Sequence, residues 1–524
     1  MKKRAKFLIV LGLVLVLLGS ILFAMHYLAK ARLAAYKRQL IASGEKLDIE
    51  QLVPTPAPHG QSNATALLKA AEGLTPEDDF YPHWMKLIKP GRARVAWRQA
   101  ELMEEVGFPG VMTNIWPLLR AAQMKDDEKL TEIGGLLSSN NIQIPIDYQK
   151  GDAELFTNFS EHLIAGKRMA KYFAAEAILD LRDGRTNEAM RDLLRCVATS
   201  KIYDSEPFMI SQMVRYAAIA IAVLPCWECL QLKGWTDAQL AELQRQWESI
   251  DLLEEAAKSL AMERAREPMS FDEMRNSWRR LDKMIPFDLA DEEAEEPLRQ
   301  NLIGFALHFG ASSCRSWLWM WLWSYDDERL SMGLYQDMID ATRAAQKRQQ
   351  ILKGLPTGDA EEFLSLAFRP VVTNSKYRIT SYERPLVKSF VTQSLRVQTK
   401  VEMVIAAIAL ERYSLRLHKY PARLEEMVPS IVKRVPIDYM DGKDLRYRLR
   451  EDGTYLLYSV GDNGTDDGGD PTPPDGSSPQ FQNGRDWVWP SVATDREVSE
   501  YAAGLARRVA QEQAEREQAG KNKR

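Results

Sequence analysis

Histidine and cysteine are scarce in this chain, and their scarcity removes several chemistries. The six histidines (His26, His59, His83, His162, His308 and His418) include no pair at the spacing of a zinc-binding HExxH helix. Four cysteines in 524 residues are too few for a disulfide framework. Cys226 and Cys229 form a CxxC, but it lies inside an apolar run that looks helical on both sides, with Pro225 as a kink. That context predicts buried helix cysteines rather than a redox or metal pair. No glycine-rich phosphate loop and no GxSxG elbow occurs. Charge of either sign is not in excess either: 69 Lys and Arg stand against 73 Asp and Glu. Without a basic surplus to neutralise phosphates, nucleic acid is not an expected partner.

What the chain does have is a long apolar start. Residues 7–29 contain no Lys, Arg, Asp or Glu. As a helix they span about 34 Å at 1.5 Å per residue, enough to cross a bilayer. Lys2, Lys3, Arg4 and Lys6 precede the run and favour a cytoplasmic tail at 1–6, although Lys30, Arg32, Lys37 and Arg38 follow it. A cleaved signal peptide competes, with Ala29-Lys30-Ala31 as a poor cleavage site. The length of the run favours a retained anchor in the cytoplasmic (inner) membrane, with the bulk of the chain extracytoplasmic or periplasmic. Residues 30–60 read as a stalk ending in the stiff stretch Pro54-Thr55-Pro56-Ala57-Pro58.

From 61 to 375 the pattern predicts an irregular α-helical bundle or solenoid. Thr75-Pro76-Glu77 opens one helix. Apolar spacing over 161–181 predicts another, stopped by Asp183-Gly184, and Thr186 is placed as the cap of the next. Thr236 and Gln239 form a capping box after Gly234. The stretch 262–267 (MERARE) reads as a charged, solvated helix face. In 316–324, Trp317, Trp319, Trp321 and Trp323 alternate with Leu318, Met320 and Leu322. Helical flanks favour a buried central helix; a membrane-contacting segment and an aromatic ligand platform are the alternatives.

Residues 385–490 have a different pattern. A helix over 399–417 is placed with Val401, Val404, Ile405, Ile408 and Ala409 inward and Arg412 and Arg416 outward, and Tyr420-Pro421 ends it. A short helix at 422–427 follows, then strands at 445–449 and 455–460 around the turn Glu451-Asp452-Gly453. Next comes SVGDNGTDDGGD (459–470) and, after a Pro/Gly/Ser-rich spacer, Arg485-Asp486-Trp487-Val488-Trp489.

This order resembles the globular domain of the major pseudopilin of type II secretion, which holds calcium in its last loop. The family's processed Gly-Phe boundary and its glutamate early in the membrane helix have no counterpart here. The resemblance places Asn463 and Asp486 at the first and closing acidic positions, Asp462, Asp466 and Asp467 in the acidic loop, and Ser459 beside them. Calcium prefers about six to eight hard oxygens, and glycines 461, 464, 468 and 469 allow tight folding around an ion. A solvated acidic turn is the competing reading. Residues 491–524 mix both charges and read as a frayed or disordered tail.

The expected molecule is therefore mostly α: a transmembrane helix, a helical domain and a small C-terminal pseudopilin-like α+β module. The leading functional expectation is a non-enzymatic envelope scaffold with a calcium-stabilised head, meeting envelope protein partners and linked to secretion or pilus-like machinery. An envelope hydrolase with its site in the helical domain, or a carbohydrate-binding protein using the tryptophan run, are the alternatives.

Overall fold

In the computed structural model, α1 (Lys2–Ala42) is a single 41-residue helix. Its apolar side chains from Phe7 to Leu28 are largely exposed, and the helix is long and apolar enough to cross a membrane. The structure describes residues 2–55, 62–74, 84–106, 111–138, 142–144, 146–148, 152–277, 316–347 and 377–522, side chains apart at 2–5, 152–161, 512–514 and 516–522. The helix expected at Thr75-Pro76-Glu77 and the prolines at 56 and 58 lie outside these residues.

The stalk expectation is corrected over 30–42. Ala29, Leu33, Tyr36 and Leu40 recur at helical spacing and form one stripe, so the helix docks instead of standing free. The stripe lies against Tyr325 and Met332 of α9 (Ser324–Gln346). Ion pairs flank it, Arg32 to Asp326 at 3.6 Å and Lys37 to Glu328 at 2.6 Å.

The body is mainly helical: α2 (Ala64–Glu72), α3 (Trp116–Leu137), α4 (Asp152–Arg182), α5 (Thr186–Ala198), α6 (Met209–Leu230), α7 (Asp237–Glu248) and α8 (Leu252–Asn276). α4 and α5 form a hairpin at Asp183-Gly184, where Gly184 has φ +76°. Thr186 proves to be the first helical residue, and the cap position, Arg185, makes no side-chain cap. The Thr236–Gln239 capping box is present. α6 also passes as an apolar span by length, but more than half of its apolar window is buried in the body. Cys226 and Cys229 lie in that core as free thiols, and burial pushes both far above the usual thiol range.

Two corrections concern strands. The region 61–375 is not wholly helical: it holds β1 (Leu87–Lys89), β2 (Arg92–Ala93), β3 (Met103–Val106) and β4 (Val111–Asn114). The expected tail, 491–524, begins with strand β8 (Ser491–Val492) and continues as α11 (Asp495–Asn522). β8 pairs in parallel with β2, which pairs antiparallel with β1, so both ends of the body share one sheet. The Trp227 indole donates to the Pro490 carbonyl at 2.9 Å, and Arg92 pairs with Glu497 at 3.2 Å.

α10 (Arg378–Leu417) runs through both regions, so the boundary expected at 385 falls inside one helix. Its contacts include α6, α7, α8 and α9, and strand β6 (Tyr455–Ser459). That strand is the centre of an antiparallel sheet ordered β5 (Arg446–Leu449), β6, β7 (Trp487–Val488). α10 ends before Pro421, at His418 in the left-handed region with φ +56°. Arg412 does not face outward. It is buried and donates to Asp237 at 2.8 Å and Gln244 at 2.9 Å, while Arg416 also reaches Asp237.

Candidate functional site

The C-terminal loop gathers the six residues expected to ligate calcium, but it divides them among separate partners. The Ser459 hydroxyl points inward from β6 and donates to Asp438 at 2.8 Å. Asp462 accepts from Arg396 at 2.7 Å. Asn463 donates to Asp467 at 2.8 Å. Asp466 accepts from the Tyr458 hydroxyl at 3.0 Å. Asp486 is almost fully buried, and its oxygens receive the backbone N–H groups of Asp467, Gly469 and Asp470 at 3.3, 2.6 and 3.2 Å.

Among the described residues no three His, Cys, Asp or Glu side chains are grouped to hold a metal. Calcium at these six positions stays a proposal, which chelation tests below. Ser459 accepts from the Gly461 N–H at 3.1 Å while donating to Asp438, and Asp486 accepts from three loop amides. Asp486 folds the loop back on itself through these three amides. Gly461 is required there: at φ +62°, a Cβ would lie 2.9 Å from Trp487 Cδ1 and 3.0 Å from the Arg485 carbonyl.

The cation that organises this module is Arg446, which sequence reasoning passed over as a strand residue. Its guanidinium donates to Asp438 at 2.9 Å and to Asp441 at 3.0 Å, and lies 3.7 Å from Asp466. Asp438 is fully buried and also accepts from Val460 N–H and Met440 N–H. Burial is the main cause raising its carboxyl above the usual range, against these donors and Arg446. Asp438, directly after Val435-Pro436-Ile437, was the available signal.

A second cluster lies where α8, α9 and α10 meet. The expectation of a solvated face at 262–267 is corrected: Glu267 is buried under α9 and α10, Arg264 against Glu45 and the Lys46 carbonyl, and Arg266 against the Tyr148 carbonyl and the Phe208 ring. The Ser331 hydroxyl is 2.8 Å from Glu267 and 2.6 Å from Glu383. A hydroxyl has one proton to give, so a carboxyl must supply the other hydrogen bond. Burial pushes Glu267 far up, aided by the charges of Glu383, Glu263 and Glu328. Glu383, with its carboxyl turned in towards Ser331, is pushed up to about 8, again chiefly by burial.

Beside this pair, Asp327 is fully buried and collects four donors. They are the Trp319 indole N–H at 2.8 Å, the Ile379 and Thr380 N–H groups at 3.0 and 3.2 Å, and the Thr380 hydroxyl at 2.7 Å. Glu328 bridges Lys37 of α1 and Arg275 of α8.

The tryptophan run is helical, with a π-helical turn over Trp319–Trp323. It is neither an all-buried helix nor a strand platform. Trp319 is fully buried, whereas Trp317 and Trp321 are 57% and 42% exposed and stack on each other at 6.1 Å.

No family model, curated protein or solved structure matches this chain. A cleft of about 450 Å³ between α4 and α6 is lined by Leu163, Ile164, Met213 and Val214, with Lys167 and Arg168 among its cations. Its lining is apolar and basic, with Lys171 and Tyr172 completing the polar side.

The Glu267–Glu383 pair has a pH signature. Folded Glu383 keeps its proton to about 8, whereas the unfolded chain releases it near the ordinary value of 4.5. Between those values the folded state binds more protons, so stability falls as pH rises, by at most ~1.4 kcal/mol per pH unit for each such group. Urea unfolding from pH 5 to pH 8.5 should show this decline, and Glu383→Gln should flatten it. A wild-type profile that rises across the interval would refute the shared proton.

Proposed function

We propose that this chain is a single-pass membrane protein whose extracytoplasmic helical body and pseudopilin-like C-terminal module act as one rigid scaffold for envelope protein partners. The observation that carries the reading is the joint ownership of α10, a 40-residue helix that packs in the body and against the sheet of the module. The β2–β8 pairing adds a second attachment. A module held at two places presents its surface at a fixed distance and angle from the anchor, which suits a platform better than a mobile head.

The resemblance to pseudopilins is supported by a long helix against an antiparallel sheet, with a glycine-rich loop between β6 and β7. An envelope hydrolase is the second reading, and the proton-sharing Glu267–Ser331–Glu383 cluster is what favours it.

The test combines topology with contact. A tag after Arg524 should be digested by protease added to spheroplasts, and a tag before Met1 should be protected. A photo-crosslinker at Leu449, exposed on edge strand β5, should give discrete adducts with envelope proteins in intact cells. Protection of the C-terminal tag would overturn the orientation. Absence of adducts from Leu449 and from exposed Lys443 would overturn the scaffold role.

A further inference from the structure

The tryptophan helix and α1 run in parallel, and their contacts fix how deep each tryptophan sits. His26 Nδ1 lies 2.6 Å from the Trp321 carbonyl, and the two rings are 5.0 Å apart. One turn on, the Lys30 ammonium lies 5.8 Å over the Tyr325 ring. Further still, Arg32 reaches Asp326 and Lys37 reaches Glu328. Both helices therefore ascend together from the apolar run into the body. Trp321 is level with His26, three residues before the end of the uncharged stretch. Trp317 precedes Trp321 by four residues and stacks on it, so it lies about 6 Å nearer the centre of the apolar run at 1.5 Å per residue. There α1 exposes Leu18, Ile21 and Phe23.

Two stacked indoles are thus exposed beside the last turns of an apolar helix, with a ladder of cations directly above. Trp favours this boundary because its ring is apolar and its N–H is polar. Tyr27, 67% exposed, lies on α1 at the same level. A sugar platform would leave ring faces open, but Trp317 and Trp321 each use one face on the other, and Trp321 also meets His26.

We infer that Trp317 and Trp321 enter the headgroup–acyl boundary of the bilayer that α1 crosses, so that the body rests on the membrane surface. The inference rests on the membrane-anchor reading of α1. The occupant is lipid rather than protein, because the exposed indoles continue the apolar surface of α1 without a break. The Trp319–Trp323 π-turn belongs to this seat: Trp319 is buried against Phe271 while Trp317 and Trp321 face outward.

The test uses the full chain reconstituted in phosphatidylcholine–phosphatidylglycerol vesicles carrying brominated acyl chains. The chain has 13 tryptophans, so the readout is a difference between wild type and Trp317→Phe/Trp321→Phe. Wild type should contain a bromine-quenchable fraction that the double variant lacks. In the single variants, the Trp317 contribution should respond to deeper bromines than the Trp321 contribution. Alkaline washing and far-UV circular dichroism separate the possible failures. If the protein stays with the vesicles, keeps its helicity and shows the same quenching in wild type and double variant, the seat is refuted although the anchor stands. If alkaline washing strips the protein from the vesicles, the anchor reading itself has failed and the seat falls with it. Trp317→Cys carrying a bimane label, in a chain with Cys314→Ser and with Cys196, Cys226 and Cys229 buried, gives a second depth measurement if the Phe variants lose helicity, and a fully water-accessible label there refutes the seat.

Discussion

Replacing Asp327 with alanine should be the most damaging single change where α9 meets α1 and α10, costing about 3–5 kcal/mol of stability. The side chain is completely buried, and four donors from two segments converge on it. Two are backbone N–H groups in the first turn of α10, so Asp327 of α9 acts as a cap supplied from another helix. The third is the Trp319 indole, inside the π-turn. The fourth is the Thr380 hydroxyl. Burial raises the carboxyl to about 6 despite these donors, so it is mainly ionised at neutral pH and its loss strands all four.

The effect should be local as well as global. Hydrogen exchange should accelerate at 317–323 and at the first turn of α10, more than along α4 and α5. Asp327→Asn retains one acceptor oxygen and should lose less, about 1–2 kcal/mol. An alanine variant with wild-type urea midpoint and wild-type exchange in both segments would show that Asp327 does not hold them together.

The second large effect is expected at Arg446. Arg446→Met leaves Asp438 buried without its counter-charge and removes the partner of Asp441, and breaking a buried pair in this way costs about 3–5 kcal/mol. Adding Asp438→Asn should recover part of the loss, because the stranded charge is then gone. Chelation provides the contrast. If Arg446 and the amides around Asp486 balance the loop's charge, EDTA should leave the wild-type melting temperature unchanged, while Arg446→Met lowers it clearly. A wild-type fall of several degrees in EDTA, abolished by Asp486→Ala, would instead establish the calcium cage at Ser459, Asp462, Asn463, Asp466, Asp467 and Asp486.

The legible parts of the fold were those specified by neighbouring residues. The uncharged run at 7–29, the stop at Asp183-Gly184, the Thr236–Gln239 box and the strands around Asp452-Gly453 are all set within a few positions of each other. The parts that were missed depend on distant partners. β2 and β8 are two residues each, too short to show a period, and each is a strand only because of the other.

Other misses followed from charge. The stripe Ala29, Leu33, Tyr36 and Leu40 was visible at helical spacing, but the basic residues between them suggested a free stalk. Those cations serve Asp326, Glu328 and the Tyr325 ring, which the sequence does not place nearby. Glu267 looked solvated because nothing local reveals that α9 and α10 cover it. In the candidate site, Asp486 was recognised as the residue that closes the loop. What it closes upon depended on amides whose directions are set by the turn rather than by residue type.

The pairing of β2 with β8 links Ser491 to Gly91 across 400 positions of chain. Synthesis delivers these partners 400 residues apart, so the sheet stays open until Val492 has been added. A ribosome stalled anywhere before residue 491 leaves a body whose N-terminal seam has no matching edge. A copy truncated before Ser491 is therefore expected to carry an unsealed β2 margin, a point of attack for proteases.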